Sequence, residues 1–240
     1  MPVSFIHRLV RRALLATSRS APDIPEAHLE IIRGVAPFTK TSRDRLAALI
    51  AATEYLIKAA IPGAIAECGV WRGGSMMAVA KTLMACGAVR PLYLYDTFEG
   101  MTAPTSRDRS ILGQSAMEWY RSMQRKGKRW DGVSVEEVRS NLGSTGWPMG
   151  GVNFVVGRVE ETIPASVPQQ LALLRLDTDW YESTLHELTH LYPLLSPGGI
   201  LIVDDYGHWQ GAREAVDEYF ASRPVFLHRV DYTARLVVKA

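Results

Sequence analysis

From residue 64 onward the chain alternates short, almost wholly apolar runs with segments of helical spacing. No other feature constrains the fold as much. Residues 64–68, 92–96, 152–156, 171–177 and 199–205 read as strands, and residues 76–84, 184–195 and 212–220 read as helices between them. A strand that is apolar on both sides must be covered on both faces. The alternation therefore predicts an α/β chain with a doubly wound, mostly parallel sheet and helices on each side. Residues 225–230 and 235–239 are strand-like with four residues between them. That link is too short for a parallel crossover and predicts an antiparallel hairpin at the C-terminal edge.

A length of 240 residues suits one full domain with an appendage. Pro22 and Pro25 break the chain early, and Thr41-Ser42-Arg43-Asp44 reads as a helix start, followed by Leu46, Leu49, Ile50 and Tyr55 in near-helical spacing. The organisation expected is a helical arm over 1–58 and an α/β domain over 59–240. Residues 100–150 are polar and irregular, too long for a plain loop. They contain helix-like stretches at 117–123 and 135–142 and read as a lid or substrate-binding insertion, in which Trp119, Trp130 and Trp147 either stack on an apolar ligand or simply pack.

Charge and cysteine content narrow the function classes. Lys and Arg number 27 and Asp and Glu 25, which excludes a general nucleic-acid binder. Two cysteines exclude a cysteine-rich zinc module and point to a reducing, cytoplasmic compartment. No run approaches the roughly 18 apolar residues of a membrane span. Residues 1–20 carry Arg8, Arg11, Arg12 and Arg19 and no acid. Their apolar core is too short for a signal peptide. The segment reads as an amphipathic arm packing on its own protein or a sister subunit, in preference to a membrane-surface helix.

Two features carry chemistry. The first is the turn Glu67-Cys-Gly-Val-Trp-Arg-Gly-Gly-Ser75, which joins a strand to a helix at the edge where open α/β sheets bind ligands. Its Gly-x-x-x-Gly-Gly spacing is not the dinucleotide fingerprint. Glu67 would repel a pyrophosphate but suits a cationic or amine-bearing ligand. Asp96 ends the next strand, where an acid can bind ribose hydroxyls. Turn and acid together imply an adenosine-type ligand. The second feature is a set of carboxylates. Asp177 and Asp179 end one apolar strand and Asp204 and Asp205 end another, and residues 177–205 hold six acids and no Lys or Arg. Sequential strands are usually neighbours, so the four acids should meet. Crowded carboxylates call for a cation, and oxygen-only ligands favour Mg²⁺.

A rival motif is His186-Glu-Leu-Thr-His190, the H-E-x-x-H of zinc peptidases. The apolar side of that helix (Leu185, Leu188, Leu191, Tyr192, Leu195) leaves both histidines on its outer face, and no third ligand follows in zincin spacing.

With these residues in view, the chain resembles the macrocin-type O-methyltransferases. The resemblance rests on Glu67–Ser75, Tyr95-Asp-Thr-Phe-Glu-Gly-Met101, Leu176-Asp-Thr-Asp-Trp-Tyr-Glu-Ser-Thr184, and Val203-Asp-Asp-Tyr-Gly207 continuing into Gly211–Phe220, in the family's order. It implies a Rossmann-like class I methyltransferase that uses S-adenosylmethionine and Mg²⁺. The reaction would methylate a sugar hydroxyl of a macrolide, another antibiotic or a glycolipid. The partners implied are a small glycoside acceptor and further copies of the chain. By resemblance Glu67, Gly69 and Ser75 bind the amino-acid end of the donor, Asp96 its ribose, and the segment around Arg158 borders the adenine. Asp177, Asp204 and Asp205 hold the metal, and Asp179 is the general base. A catechol-type phenol acceptor is the alternative within methyltransferases, and a zinc peptidase using His186, Glu187 and His190 the alternative outside them.

Overall fold

A computed structural model describes residues 23–240. The basic segment 1–20 lies outside the described residues. Two helices come first: α1 (Glu26–Val35) and α2 (Arg43–Lys58). Then follow β1 (Ala64–Cys68), α3 (Gly74–Ala85), β2 (Leu92–Asp96), α4 (Ala116–Arg125), α5 (Val135–Gly143), β3 (Val152–Val156) and the short α6 (Val159–Thr162). The chain ends with β4 (Leu171–Leu176), α7 (Tyr181–Leu191), β5 (Leu195–Val203), α8 (Gln210–Phe220), β6 (His228–Arg229) and β7 (Arg235–Val238).

The seven strands form one sheet in the order β3-β2-β1-β4-β5-β7-β6. The first five are parallel, and β7 runs antiparallel to β5 and to β6. The doubly wound sheet and its edge hairpin are thus as the apolar runs predicted. Strand order reverses between β1 and β4, and a crevice at that switch point is where such sheets bind ligands.

Side chains of each strand alternate between two cores. Ile65, Leu92, Leu94, Leu173, Ile200 and Ile202 pack under α1, α2, α3 and α5. Ala66, Tyr95, Leu174, Leu176, Leu201 and Val203 pack under α6, α7 and α8. Burying a leucine or isoleucine side chain is worth about 1.5–3 kcal/mol, so the central strands are fixed from both faces.

Several sequence expectations shift. The seventh helix begins three residues earlier than the spacing suggested and ends at Leu191, where Pro193 forces a 3₁₀ turn over Tyr192–Leu194. Tyr55 is exposed, because the buried stripe of α2 runs Leu46, Leu49, Ile50, Thr53, Leu56. Only His228 and Arg229 of the sixth apolar run pair in the sheet. The insertion also divides. Val138, Leu142 and Trp147 belong to the main core, whereas Trp119 and Trp130 join Trp180 and Trp209 in a separate aromatic cluster.

Candidate active site

The glycine turn and the carboxylates abut. Cys68 and Asp177 end neighbouring strands, and the Asp177 N–H donates to the Cys68 carbonyl at 2.8 Å. Gly69 follows at φ +82°, and a Cβ there would lie 2.1 Å from the Asp177 carbonyl oxygen. A Cβ at Gly74 would lie 2.5 Å from the Phe38 carbonyl oxygen. These two glycines therefore first serve the close approach of the chain to itself, where the sequence suggested approach to a ligand. Asp96 secures the same turn. One of its oxygens accepts from the Val70 and Trp71 N–H groups (2.7 and 3.1 Å), and the other accepts from Phe98 N–H at 2.9 Å. Trp71 takes a left-handed φ of +47°, which Asp96 helps to hold.

Glu67 lies beneath the turn and is 1% exposed. Oε1 accepts from Arg175 Nη1 at 2.7 Å, while Oε2 has no hydrogen-bond partner. Burial pushes this carboxyl up to about 7 against the pull of Arg175. Ser75, in the first turn of α3, is buried, with its hydroxyl 3.5 Å from that of Thr41. Arg158 precedes α6 at the end of β3, half exposed, 3.4 Å from Glu160. Its neighbour Gly157 donates to the Asp96 carbonyl at 2.9 Å, so Arg158 and Asp96 stand on adjacent strand ends.

The four acidic residues do meet, but in two groups. Oxygens of Asp177, Asp179 and Asp205 all lie within 4.8 Å of one another, the one group among the described residues disposed to hold a metal. Burial raises the carboxyls of Asp177 and Asp205 well above the ordinary range, with their acidic neighbours adding to it. Asp179 is pushed up to about 7 by burial, with Asp177 adding to it. Its backbone is also left-handed, at φ +70°. Strain of this kind costs of order 1–3 kcal/mol and clusters at functional sites. Asp204 faces the other way. Arg175 Nη2 donates to Oδ1 at 2.5 Å, and Arg45 Nη1 donates to Oδ2. Burial pulls this carboxyl upward, but Arg175 and Arg45 together hold it below the usual range.

This corrects one expectation. The window 177–205 has no basic residue, yet two arginines outside it supply countercharge. Arg175 also donates to Asp177 at 2.6 Å, and Arg45 pairs with Asp231 at 3.2 Å. Arg175 could have been noticed, since a charge inside an apolar strand needs a partner. Arg45 looked like an ordinary helix residue. Asp108 was missed as well. Buried in the insertion, it accepts from Thr105 N–H (2.6 Å) and Tyr181 N–H (2.9 Å), tying the insertion to the start of α7.

The H-E-x-x-H motif has no peptidase geometry. Glu187 is fully buried and accepts from Thr178 Oγ1, on the inner side of α7. His186 bonds to the Ile163 carbonyl, and its ring lies tilted against that of His190 with the centroids 4.4 Å apart. Neither histidine joins a group of three ligands among the described residues.

The sequence pattern of the macrocin-O-methyltransferase (TylF) family matches residues 16–237. The chain belongs to this family. It is 34% identical over 182 residues to 8-demethyl-8-(2,3-dimethoxy-alpha-L-rhamnosyl)-tetracenomycin-C 4'-O-methyltransferase of Streptomyces olivaceus, covering 75% of this chain and 67% of that protein. It is 37% identical over 162 residues to demethyldecarbamoylnovobiocin O-methyltransferase of Streptomyces niveus, covering 67% and 59%. The matched stretch thus spans about three fifths of the novobiocin enzyme's length. Among solved structures, the O-methyltransferase NovP superposes with a TM-score of 0.74 at 32% identity, over 85% of this chain and 82% of that one. The protein is an O-methyltransferase with the Rossmann-like class I fold, whose methyl donor is S-adenosylmethionine. No helix among the described residues is long and apolar enough to cross a membrane.

Proposed function

We propose that the protein transfers a methyl group from S-adenosylmethionine to a sugar hydroxyl of a glycosylated natural product or glycolipid, with Mg²⁺ bound beside the acceptor. The observation that carries this reading is the contact between the glycine turn and the carboxylate ends of β4 and β5. Donor and acceptor sites then share one edge of the sheet. The relatives named for rhamnosyl-tetracenomycin and for a novobiocin precursor support the acceptor class.

The residues present fit both groups. The orphaned Oε2 of buried Glu67 is an acceptor suited to the donor's ammonium group. Two backbone N–H groups fill Asp96 Oδ2 and one binds Oδ1, which leaves Oδ1 for a ribose hydroxyl, and Arg158 borders the adenine from the next strand end. Among the described ion pairs, Asp177 alone of the crowded trio Asp177, Asp179 and Asp205 has a cationic partner, Arg175, and three carboxylates against one guanidinium fit a hard divalent ion. We assign Asp177, Asp204 and Asp205 as its ligands. Asp179 reaches furthest beyond the strand end and is assigned as the base that accepts the hydroxyl proton. When bound, the ion supplies Lewis-acid stabilisation of charge developing on the acceptor oxygen and fixes its orientation. Asp204 must then exchange an arginine contact for the ion.

The test is mass spectrometry of a glycoside panel incubated with donor and Mg²⁺, with a catechol as the competing acceptor. A methylated sugar supports the reading, and a methylated catechol alone overturns the acceptor class. Mg²⁺ titration of Asp204→Asn and Asp179→Asn separates the ligand assignments. Loss of binding only in Asp204→Asn supports ours, and loss only in Asp179→Asn gives the third place to Asp179.

A further inference from the structure

We propose that Arg175 is a positioning residue that couples the donor site to the cation site, so that each ligand tightens the other. The inference rests on the reading above, in which Glu67 serves the donor and Asp177 the cation. Arg175 is 2% exposed and sits on β4 between β1 and β5. Its one guanidinium reaches both sites. Nη1 is shared by Glu67 Oε1 at 2.7 Å and Asp177 Oδ2 at 2.6 Å. Nη2 is shared by Asp204 Oδ1 at 2.5 Å and Thr41 Oγ1 at 3.0 Å. A planar fork of fixed donors can bridge three carboxylates in this way, whereas a lysine ammonium is a point charge.

The sharing sets the sign of the coupling. Each Nη carries two N–H groups, so all these bonds coexist, and the guanidinium rests at a compromise position among Glu67, Asp177 and Asp204. A cation that takes up Asp177 lessens the pull on that side, and the guanidinium settles on Glu67. Oε1 is then held more firmly, and the unpartnered Oε2 stays turned to the donor's ammonium with less freedom to lose. Linkage makes the effect reciprocal. Donor bound at Glu67 fixes Arg175, and the carboxylates that Arg175 positions take the cation more readily.

Calorimetry on the full chain tests this, titrating S-adenosylmethionine with and without Mg²⁺, and Mg²⁺ with and without S-adenosylmethionine. We expect each ligand to lower the other's Kd at least threefold in the wild-type protein. In Arg175→Lys the ratio should fall to one, although both ligands still bind. A merely structural role would weaken both ligands uniformly and leave the ratio unchanged. Glu67→Gln, nearly isosteric, should also bring the ratio to one, and it carries the test if Arg175→Lys does not fold. A wild-type ratio of one, or a wild-type ratio preserved in a folded Arg175→Lys or Glu67→Gln, overturns the coupling while leaving the proposed function standing. A wild-type protein that binds no donor overturns both.

Discussion

At the residue scale, Asp179 and Asp204 show how alike two carboxylates can look in a sequence and how differently a fold can use them. Each is half of an acidic pair at the end of an apolar strand. Asp204 is neutralised by Arg45 and Arg175, whereas Asp179 shares its surroundings with Asp177 and Asp205. Asp179→Asn should therefore lower methyl transfer by about 10²-fold or more, the usual contribution of a positioned base. Donor and Mg²⁺ binding should persist. Product mass spectrometry alongside calorimetry checks the split, and an active variant would remove Asp179 from the mechanism. Gly69 makes a different claim. With φ at +82° and its would-be Cβ 2.1 Å from the Asp177 carbonyl oxygen, Gly69→Ala must force β1 and β4 apart. We expect a loss of at least about 1–3 kcal/mol, the scale of such strain alone, read as a lowered urea midpoint.

At the scale of elements, one pentapeptide shows what was legible and what was not. Thr-Ser-Arg-Asp-Arg occurs at 41–45 and again at 105–109. In the first copy Ser42 caps α2, accepting from Arg45 N–H at 3.3 Å and donating to Asp231 at 3.0 Å. That helix start was readable, because an apolar stripe follows it. In the second copy Asp108 folds back on Thr105 and is buried against α7, and no helix begins there. Within the pentapeptide nothing distinguishes the copies; the contact that buries Asp108 lies 73 residues away. The strands were legible for the opposite reason, since burial on both faces leaves its mark within five or six residues. The arginine partners were not, because an ion pair between α2 and β5 spans 159 positions and has no periodic signature. Ser42→Ala should cost about 1 kcal/mol through the lost cap, measurable by chemical denaturation. It should also tighten Mg²⁺ binding, because the first turn of α2 holds Arg45 on Asp204, a contact that the ion has to displace. Unchanged Mg²⁺ affinity would show that the two roles of that turn are separable.

For the whole molecule, a near-neutral total conceals a local imbalance. Glu67, Asp177, Asp179, Asp204 and Asp205 converge at the strand ends, and Arg45 and Arg175 are the cations that contact them among the described ion pairs. Five acids against two arginines leave the switch point of the sheet short of positive charge. Burial raises the carboxyls of Asp177, Asp179 and Asp205, and their acidic neighbours add to it. A ligand that binds only the folded state stabilises it by mass action, by about 2.7 kcal/mol at a hundredfold excess over Kd. Mg²⁺ in the millimolar range should therefore raise the melting temperature, and a chelator should return it to the metal-free value. Asp177→Asn and Asp205→Asn remove ligands and so should lose the Mg²⁺-dependent shift. Asp205→Asn also removes a crowded charge without breaking an ion pair, so its metal-free melting temperature should equal or exceed that of the wild type, whereas Asp177→Asn also gives up its bond to Arg175. In Asp205→Asn the two effects have opposite signs, which separates a cation site from a merely structural cluster. In a structural cluster the same substitution would lower the metal-free melting temperature, and Mg²⁺ would shift neither protein.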